Sequence, residues 1–246
     1  MLKEGKIFNG FGHIKEVLQS AGFSVYTSNC DGMGTIENNA EQLKNRIECI
    51  LQETGAEKVN IIGHSKGGLD AKYLIDNLNM ASKVASLTCI CTPHKGSQVA
   101  TTVLKMPKFL LYFCAFWVNL FYKILKDKNP DTVAVLKQLA SNEDAEVELK
   151  TKNHGVYCQS YSATMDGAKA DFVMSIPYLI SHHYEKDFSD GMVAKNSTVF
   201  GEYKGDALPE SVSHNEIVCY LTRKKKKEKV SAFYIALCED LVKRGF

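Results

Sequence analysis

Val59-Asn60-Ile61-Ile62 is a short apolar run rich in branched residues. Gly63-His64-Ser65-Lys66-Gly67 follows it, and Gly68 to Ile75 then reads as a helix. A strand that becomes a helix through G-x-S-x-G can fold in few ways. The turn is so tight that its Ser takes a strained backbone. Gly63 and Gly67 are expected to leave room where a Cβ would collide with the neighbouring strand and helix. The turn lifts the Ser65 hydroxyl above the sheet edge, at a helix N-terminus whose amides favour negative charge. The bland alternative is a tight turn with an incidental Ser. The strand and helix on either side favour the functional reading.

The rest of the chain repeats the strand and helix rhythm. Ile14, Val17 and Leu18 mark an amphipathic stretch stopped by Ala21-Gly22, and Phe23-Ser24-Val25-Tyr26 alternates as a short strand. Ile36, Ala40, Leu43, Ile47, Ile50 and Leu51 recur at a period near 3.6, so they predict a long helix that Gly55 ends. Val84 to Cys91 is nearly all apolar, as in a buried parallel strand. Gly155 to Ala163 is a third strand candidate, and residues 231 to 244 are the last clear helix. The alternation predicts an α/β fold with a doubly wound, mostly parallel sheet. A chain of 246 residues fits one such domain, 1–246, and needs no disulfide or metal to hold its core.

Charge excludes one class of function. The net charge is +2, so no global field points to nucleic acid. The basic run Arg223 to Lys227 reads as a solvated loop before the last helix rather than as a polyanion patch. Eight cysteines show no C-x-x-C pair and no zinc spacing, and several lie inside apolar runs. They read as small buried hydrophobes in a reducing compartment. Met1 to Lys6 lacks the apolar core of a signal peptide, which leans the reading toward the cytoplasm.

The middle of the chain breaks the rhythm. Phe109 to Val118 continues through Leu120-Phe121-Tyr122 to Ile124-Leu125 and holds the only Trp. Lys108, Asn119 and Lys123 interrupt it, whereas a membrane-spanning helix needs about 20 apolar residues. Three readings stand: a buried core helix, a membrane anchor, and a lid helix over a lipid-binding cleft. The lid is preferred, because it hides apolar area when shut and presents it to lipid when open.

A Ser hydroxyl becomes a nucleophile near neutral pH only with a base in reach and a carboxylate to orient that base. Seven His are candidates for the base. His64 adjoins Ser65, where neighbouring side chains diverge, and reads as packing. His94 lies too soon after Ser65, and His182 and His183 precede the best acid. His214, in a late loop, fits the base. Asp190 in Ser189-Asp190-Gly191-Met192-Val193 fits the acid, because an Asp-Gly turn projects a short carboxylate from a loop rim. Asp187 and Asp171 are its rivals. The backbone N–H of Lys66 is the expected oxyanion donor. For a second donor, Gly10-Phe11-Gly12-His13 is the nearest approximation, though no strand leads into it.

Together these motifs resemble the bacterial triacylglycerol lipases of the α/β-hydrolase superfamily. Gly63 to Asp70 looks like their elbow and following helix, and Thr92-Pro93-His94-Lys95-Gly96-Ser97 like their T-P-H-x-G-S loop. Ser189 to Val193 matches their acid loop, Ser213-His214 their histidine loop, and Thr35 to Leu43 the helix before the elbow strand. The resemblance runs from about residue 7 to the C-terminus. It implies hydrolysis of acylglycerols through Ser65, Asp190 and His214, with a mobile helical lid at 103–129. It also implies transient contact of 109–125 with a lipid interface. No cofactor is required, but some members bind a structural calcium near the histidine loop. Glu216 is the matching position, where an Asp is usual, and the earlier ligand has no clear counterpart in Asp166 or Asp171. Family members begin with a strand and L-V-H-G, which supplies the first oxyanion donor, so the resemblance implies a chain that starts late. Two other functions compete with hydrolysis: a catalytically weak relative that binds lipid or membrane through 109–125, and an acyltransferase using the same three residues.

Overall fold

In the computed structural model, residues 10–140, 155–185 and 188–246 are described. Among the described residues four strands form one parallel sheet in chain order: β1 (Val59–His64), β2 (Val84–Ile90), β3 (Tyr157–Ser162) and β4 (Glu202–Asp206). The apolar run at β2 is buried at all but one position, as expected of a strand covered on both faces. Polar pairs fix the register of the first three strands. Ser86 donates to Asn60 Oδ1 at 2.7 Å, and Gln159 Nε2 donates to Thr88 Oγ1 at 2.9 Å. A slip would leave the buried Ser86, Thr88 and Gln159 groups unpaired, at about 1–3 kcal/mol each.

Helices cover both faces. On one, α2 (Ile36–Thr54) and α3 (Lys66–Asn77) bring Ala40, Leu43, Ile47, Leu74 and Ile75 against Val84, Leu87 and Cys89 of β2. Thr35 caps α2 by accepting the Asn38 N–H, and Gly55 at φ 71° ends it. On the other face, α1 (Ile14–Ser20) and α8 (Lys224–Lys243) bring Ile14, Leu18, Val230, Tyr234 and Leu237 against Ile90. Each such fully buried Leu or Ile is worth about 1.5–3 kcal/mol.

Two expectations are corrected. Phe23 to Tyr26 joins no ladder, so β1 is an edge strand among the described residues. Instead Phe23 and Val25 line a cavity of about 650 Å³ together with Ile61 and Ile62 of β1. The basic run is not a loop: Lys224 to Lys227 form the first turn of α8. Four lysines at a helix N-terminus oppose the helix dipole. Lys226 offsets this by pairing with Glu216 at 2.6 Å, and Lys229 by pairing with Glu210. Of the three readings of residues 109–125, the buried core helix does not hold.

Between β2 and β3 the chain leaves the sheet through α4 (Gln98–Leu104), α5 (Lys108–Ile124) and α6 (Thr132–Leu139). The segment 103–129 contains all of α5. Only Leu111 and Ala115 of α5 are buried, while Phe109 is 78% and Ile124 69% exposed. Tyr112, Phe113, Phe116, Trp117 and Phe121 are exposed with them. Polar contacts tether the helix and the chain after it: Asn119 Oδ1 accepts from the Thr132 N–H at 2.9 Å, and Asp127 accepts from the Met33 N–H at 2.9 Å. No single described helix is long and apolar enough to cross a membrane; α4 and α5 together reach that length and composition, with a bend of 117° between them. A further helix, α7 (Ser175–Glu185), follows β3 and was not expected from the sequence.

Candidate active site

The elbow joins β1 to α3. Ser65 has φ 52° and ψ −130°, a strained backbone that costs about 1–3 kcal/mol and persists only where its surroundings impose it. Here its N–H donates to the Ile90 carbonyl at 3.0 Å, and its carbonyl accepts from the Gly68 N–H at 3.1 Å. A Cβ on Gly63 would lie 2.7 Å from the Gly68 backbone, as expected. Gly67 departs from the expectation, because a Cβ there meets nothing within 4 Å. The crowded glycine is Gly68, whose Cβ would fall 2.1 Å from Thr92 Oγ1. The close approach is therefore between α3 and the loop after β2.

Asp190 and His214 meet at the C-terminal end of the sheet. Asp190 Oδ2 lies 2.6 Å from His214 Nδ1, and the His214 N–H donates to the Asp190 carbonyl at 2.9 Å. The other carboxylate oxygen accepts from the Met192 and Val193 amides at 2.9 and 2.8 Å. Burial alone would push the Asp190 carboxyl up. His214 and the two amides outweigh it and hold the group below its ordinary value of 3.8. The T-P-H-x-G-S loop braces the acid loop, since Ser97 donates to the Met192 carbonyl at 2.6 Å.

His64 links this pair to the elbow. Its ring is tilted 45° to that of His214, with centroids 4.5 Å apart, and the ring of Phe11 meets it edge-on at 6.3 Å. Burial, then the His214 charge, drives the His64 pKa well below 6.5, so this imidazole is neutral near pH 7. Cys91 follows β2, and its buried thiol is held protonated by burial and by the Asp190 carboxylate. Among the described residues no hydrogen bond ends on the Ser65 hydroxyl. Catalytic hydrogen bonds are often long before substrate arrives.

Lys66 starts α3, so its N–H sits at the helix N-terminus beside Ser65. Its ammonium turns away to Asp70, at 2.9 Å. Burial raises the Asp70 carboxyl from 3.8 to about 6, against the pull of Lys66 and a 2.9 Å hydrogen bond from Asn39.

The other candidates lie elsewhere. His94 is buried flat against Phe200, with ring centroids 4.4 Å apart, and burial drives its pKa down to about 3. His182 and His183 are exposed on α7, and His13 lies 3.2 Å from Ser231 Oγ. Asp171 accepts from the Ser213 hydroxyl and the Val173 N–H rather than from His214. Asp187 and His154 lie outside the described residues. Glu216 does not fit the calcium implied by the resemblance. Its carboxylate carries the Lys226 ammonium at 2.6 Å and accepts the Ser213 N–H at 3.1 Å, while Asp171 accepts the Ser213 hydroxyl.

Residues 5–172 match the family model described as the alpha/beta hydrolase fold. The chain belongs to that family. This hydrolase is 26% identical over 261 residues to "Triacylglycerol lipase 2" of Saccharomyces cerevisiae, covering 95% of the chain and 73% of the yeast protein. It is 32% identical over 166 residues to a triacylglycerol lipase of Pseudarthrobacter phenanthrenivorans, covering 61% of the chain and 51% of the relative. The hydrolase thus spans about half the length of that bacterial relative. A crystal structure of a metagenomic carboxyl esterase superposes with a TM-score of 0.71 at 15% identity, over 95% of this chain and 70% of that one. That likeness shows the shared fold, and the curated relatives carry the name triacylglycerol lipase.

Proposed function

We propose that the chain hydrolyses lipid esters through Ser65, Asp190 and His214. The observation that carries this reading is the buried Asp190–His214 pair, 2.6 Å apart, in a chain whose Ser65 is held at φ 52° on a strand-to-helix turn. Asp190 holds the proton on His214 Nδ1, which leaves Nε2 free to act as base. His214 Nε2 takes the Ser65 proton as Oγ attacks the ester carbonyl. The proton then passes to the leaving alcohol, and an acyl-Ser65 ester remains. Water, deprotonated by the same nitrogen, releases the fatty acid and restores Ser65. The Lys66 N–H and the N-terminus of α3 stabilise the oxyanion, where one donor is worth about 10²–10³ in rate.

The lipid preference rests on α5 and on the names of the relatives. A helix that exposes Phe113, Phe116, Trp117 and Phe121 suits a lipid interface better than water. On this reading 103–129 is a mobile lid and 109–125 its transient lipid contact. The test is hydrolysis of a short and a long p-nitrophenyl ester by the chain and by Ser65→Ala. The variant is expected to lose at least about 10⁴-fold in kcat. Equal rates for both proteins would end the proposal.

A further inference from the structure

Ser65 and Cys91 hold equivalent places, each being the residue after a strand, with φ 52° and 51°. The register pairs His64 with Ile90, so the next step along each strand brings Ser65 level with Cys91. This places a buried thiol beneath the proposed active site, where an apolar side chain would serve for packing. His64, Cys91 and His214 each present one ligand atom, and all three atoms lie within 4.8 Å of one another. His64 Nε2 is buried and has no hydrogen-bond partner. The hydrolytic mechanism uses neither Cys91 nor the His64 ring.

The geometry points to a site for one borderline-soft divalent cation of the Zn²⁺ class, held by His64, Cys91 and His214, whose occupancy stops hydrolysis. Two imidazoles and a thiolate suit zinc and cobalt and are poor ligands for calcium or magnesium. Asp190 already stands on His214 Nδ1 as the outer carboxylate of a metal-binding His does, so in this proposal His214 binds the cation through Nε2. Tetrahedral zinc needs neighbouring ligand atoms about 3.3–3.6 Å apart, so the three side chains close in by about 1 Å. His64 and Ser65 are only half-buried, which gives the ion a way in. On binding, the Cys91 S–H bond breaks and the sulfur lone pair joins the cation. The proton leaves to solvent, and nothing is oxidised or reduced. With its Nε2 lone pair on the metal, His214 cannot accept the Ser65 proton. The binding half stands by itself; the inhibitory half rests on the ester hydrolase reading.

Cobalt(II), added to the reduced chain, reports the binding half. A thiolate-to-cobalt charge-transfer band should saturate at one ion per chain, vanish in Cys91→Ser, and need about 10–100-fold more metal in His64→Gln. Zinc titrated against ester hydrolysis reports the other half. Its inhibition constant should rise at least about tenfold in Cys91→Ser, relative to that variant's own zinc-free rate. No band in the native chain, or a band unchanged in Cys91→Ser and therefore due to an exposed thiol such as Cys49 or Cys114, overturns the site. A band with undiminished hydrolysis overturns the blocking role. If Cys91→Ser loses its circular dichroism, His64→Gln carries the same comparison. If the chain hydrolyses no ester, the cobalt band still decides the site while the hydrolase reading falls.

Discussion

At the level of single residues, Ser65, Asp190 and His214 stand out in the sequence because each sits in a local pattern. One is a Ser between glycines, one an Asp-Gly turn, one a His in a late loop. His64 and Cys91 were not legible in the same way. Their meeting depends on strand register and on where the 190 and 214 loops return, which no short window of sequence carries. Gly67 and Gly68 show the same limit. The motif names Gly67, but the neighbour that crowds the helix is Thr92, 24 positions beyond Gly68 and fixed only by the fold. Gly68→Ala therefore drives a Cβ into Thr92 and should cost about 1–3 kcal/mol by overpacking. Gly67→Ala meets open space, and its Tm should stay near that of the native chain. Thermal unfolding of both variants checks the contrast, and equal losses would contradict it.

Among the elements, β1, β2, α2 and α3 followed from periodicity and capping, whereas β4 and α7 did not. Glu202-Tyr203-Lys204-Gly205-Asp206 has no apolar alternation to betray a strand at the edge of the sheet. The early start of α8 was missed because its first turn is all lysine, and its support comes from Glu216 and Glu210 on another segment. Helix α5 was visible as an apolar run, but its orientation was not: the aromatic face points outward. If that face meets lipid, the triple variant Phe113→Ser, Phe116→Ser, Trp117→Ser should slow hydrolysis of an emulsified long-chain ester by at least about tenfold. Each ring withholds roughly 1.5–3 kcal/mol of apolar transfer. The rate on a dissolved short ester should change little. Equal losses on both substrates would show that α5 shapes the site rather than the interface.

In the whole molecule, the parallel sheet gathers chain segments far apart in sequence at its C-terminal end, as open α/β sheets do. The buried link Asn39–Asp70–Lys66 ties α2 to the elbow helix and couples global stability to pH. Asp70 titrates near 6 when folded and near 3.8 as its ordinary value. Between these values the native state keeps a proton that the unfolded chain has lost, so stability falls as pH rises and levels off above about 6. Asp70→Asn removes that titration, so the Tm of the variant minus that of the native chain should grow across the window and then hold constant. Parallel curves would refute the assignment.

The central claim is that Ser65 is an activated nucleophile. Mass-spectrometric mapping of a fluorophosphonate adduct tests it most directly, because only a Ser with a working base reacts rapidly. The account predicts one adduct, on Ser65, abolished by Ser65→Ala and by His214→Ala. An unlabelled Ser65 in the folded chain, or labelling that survives loss of His214, would contradict it.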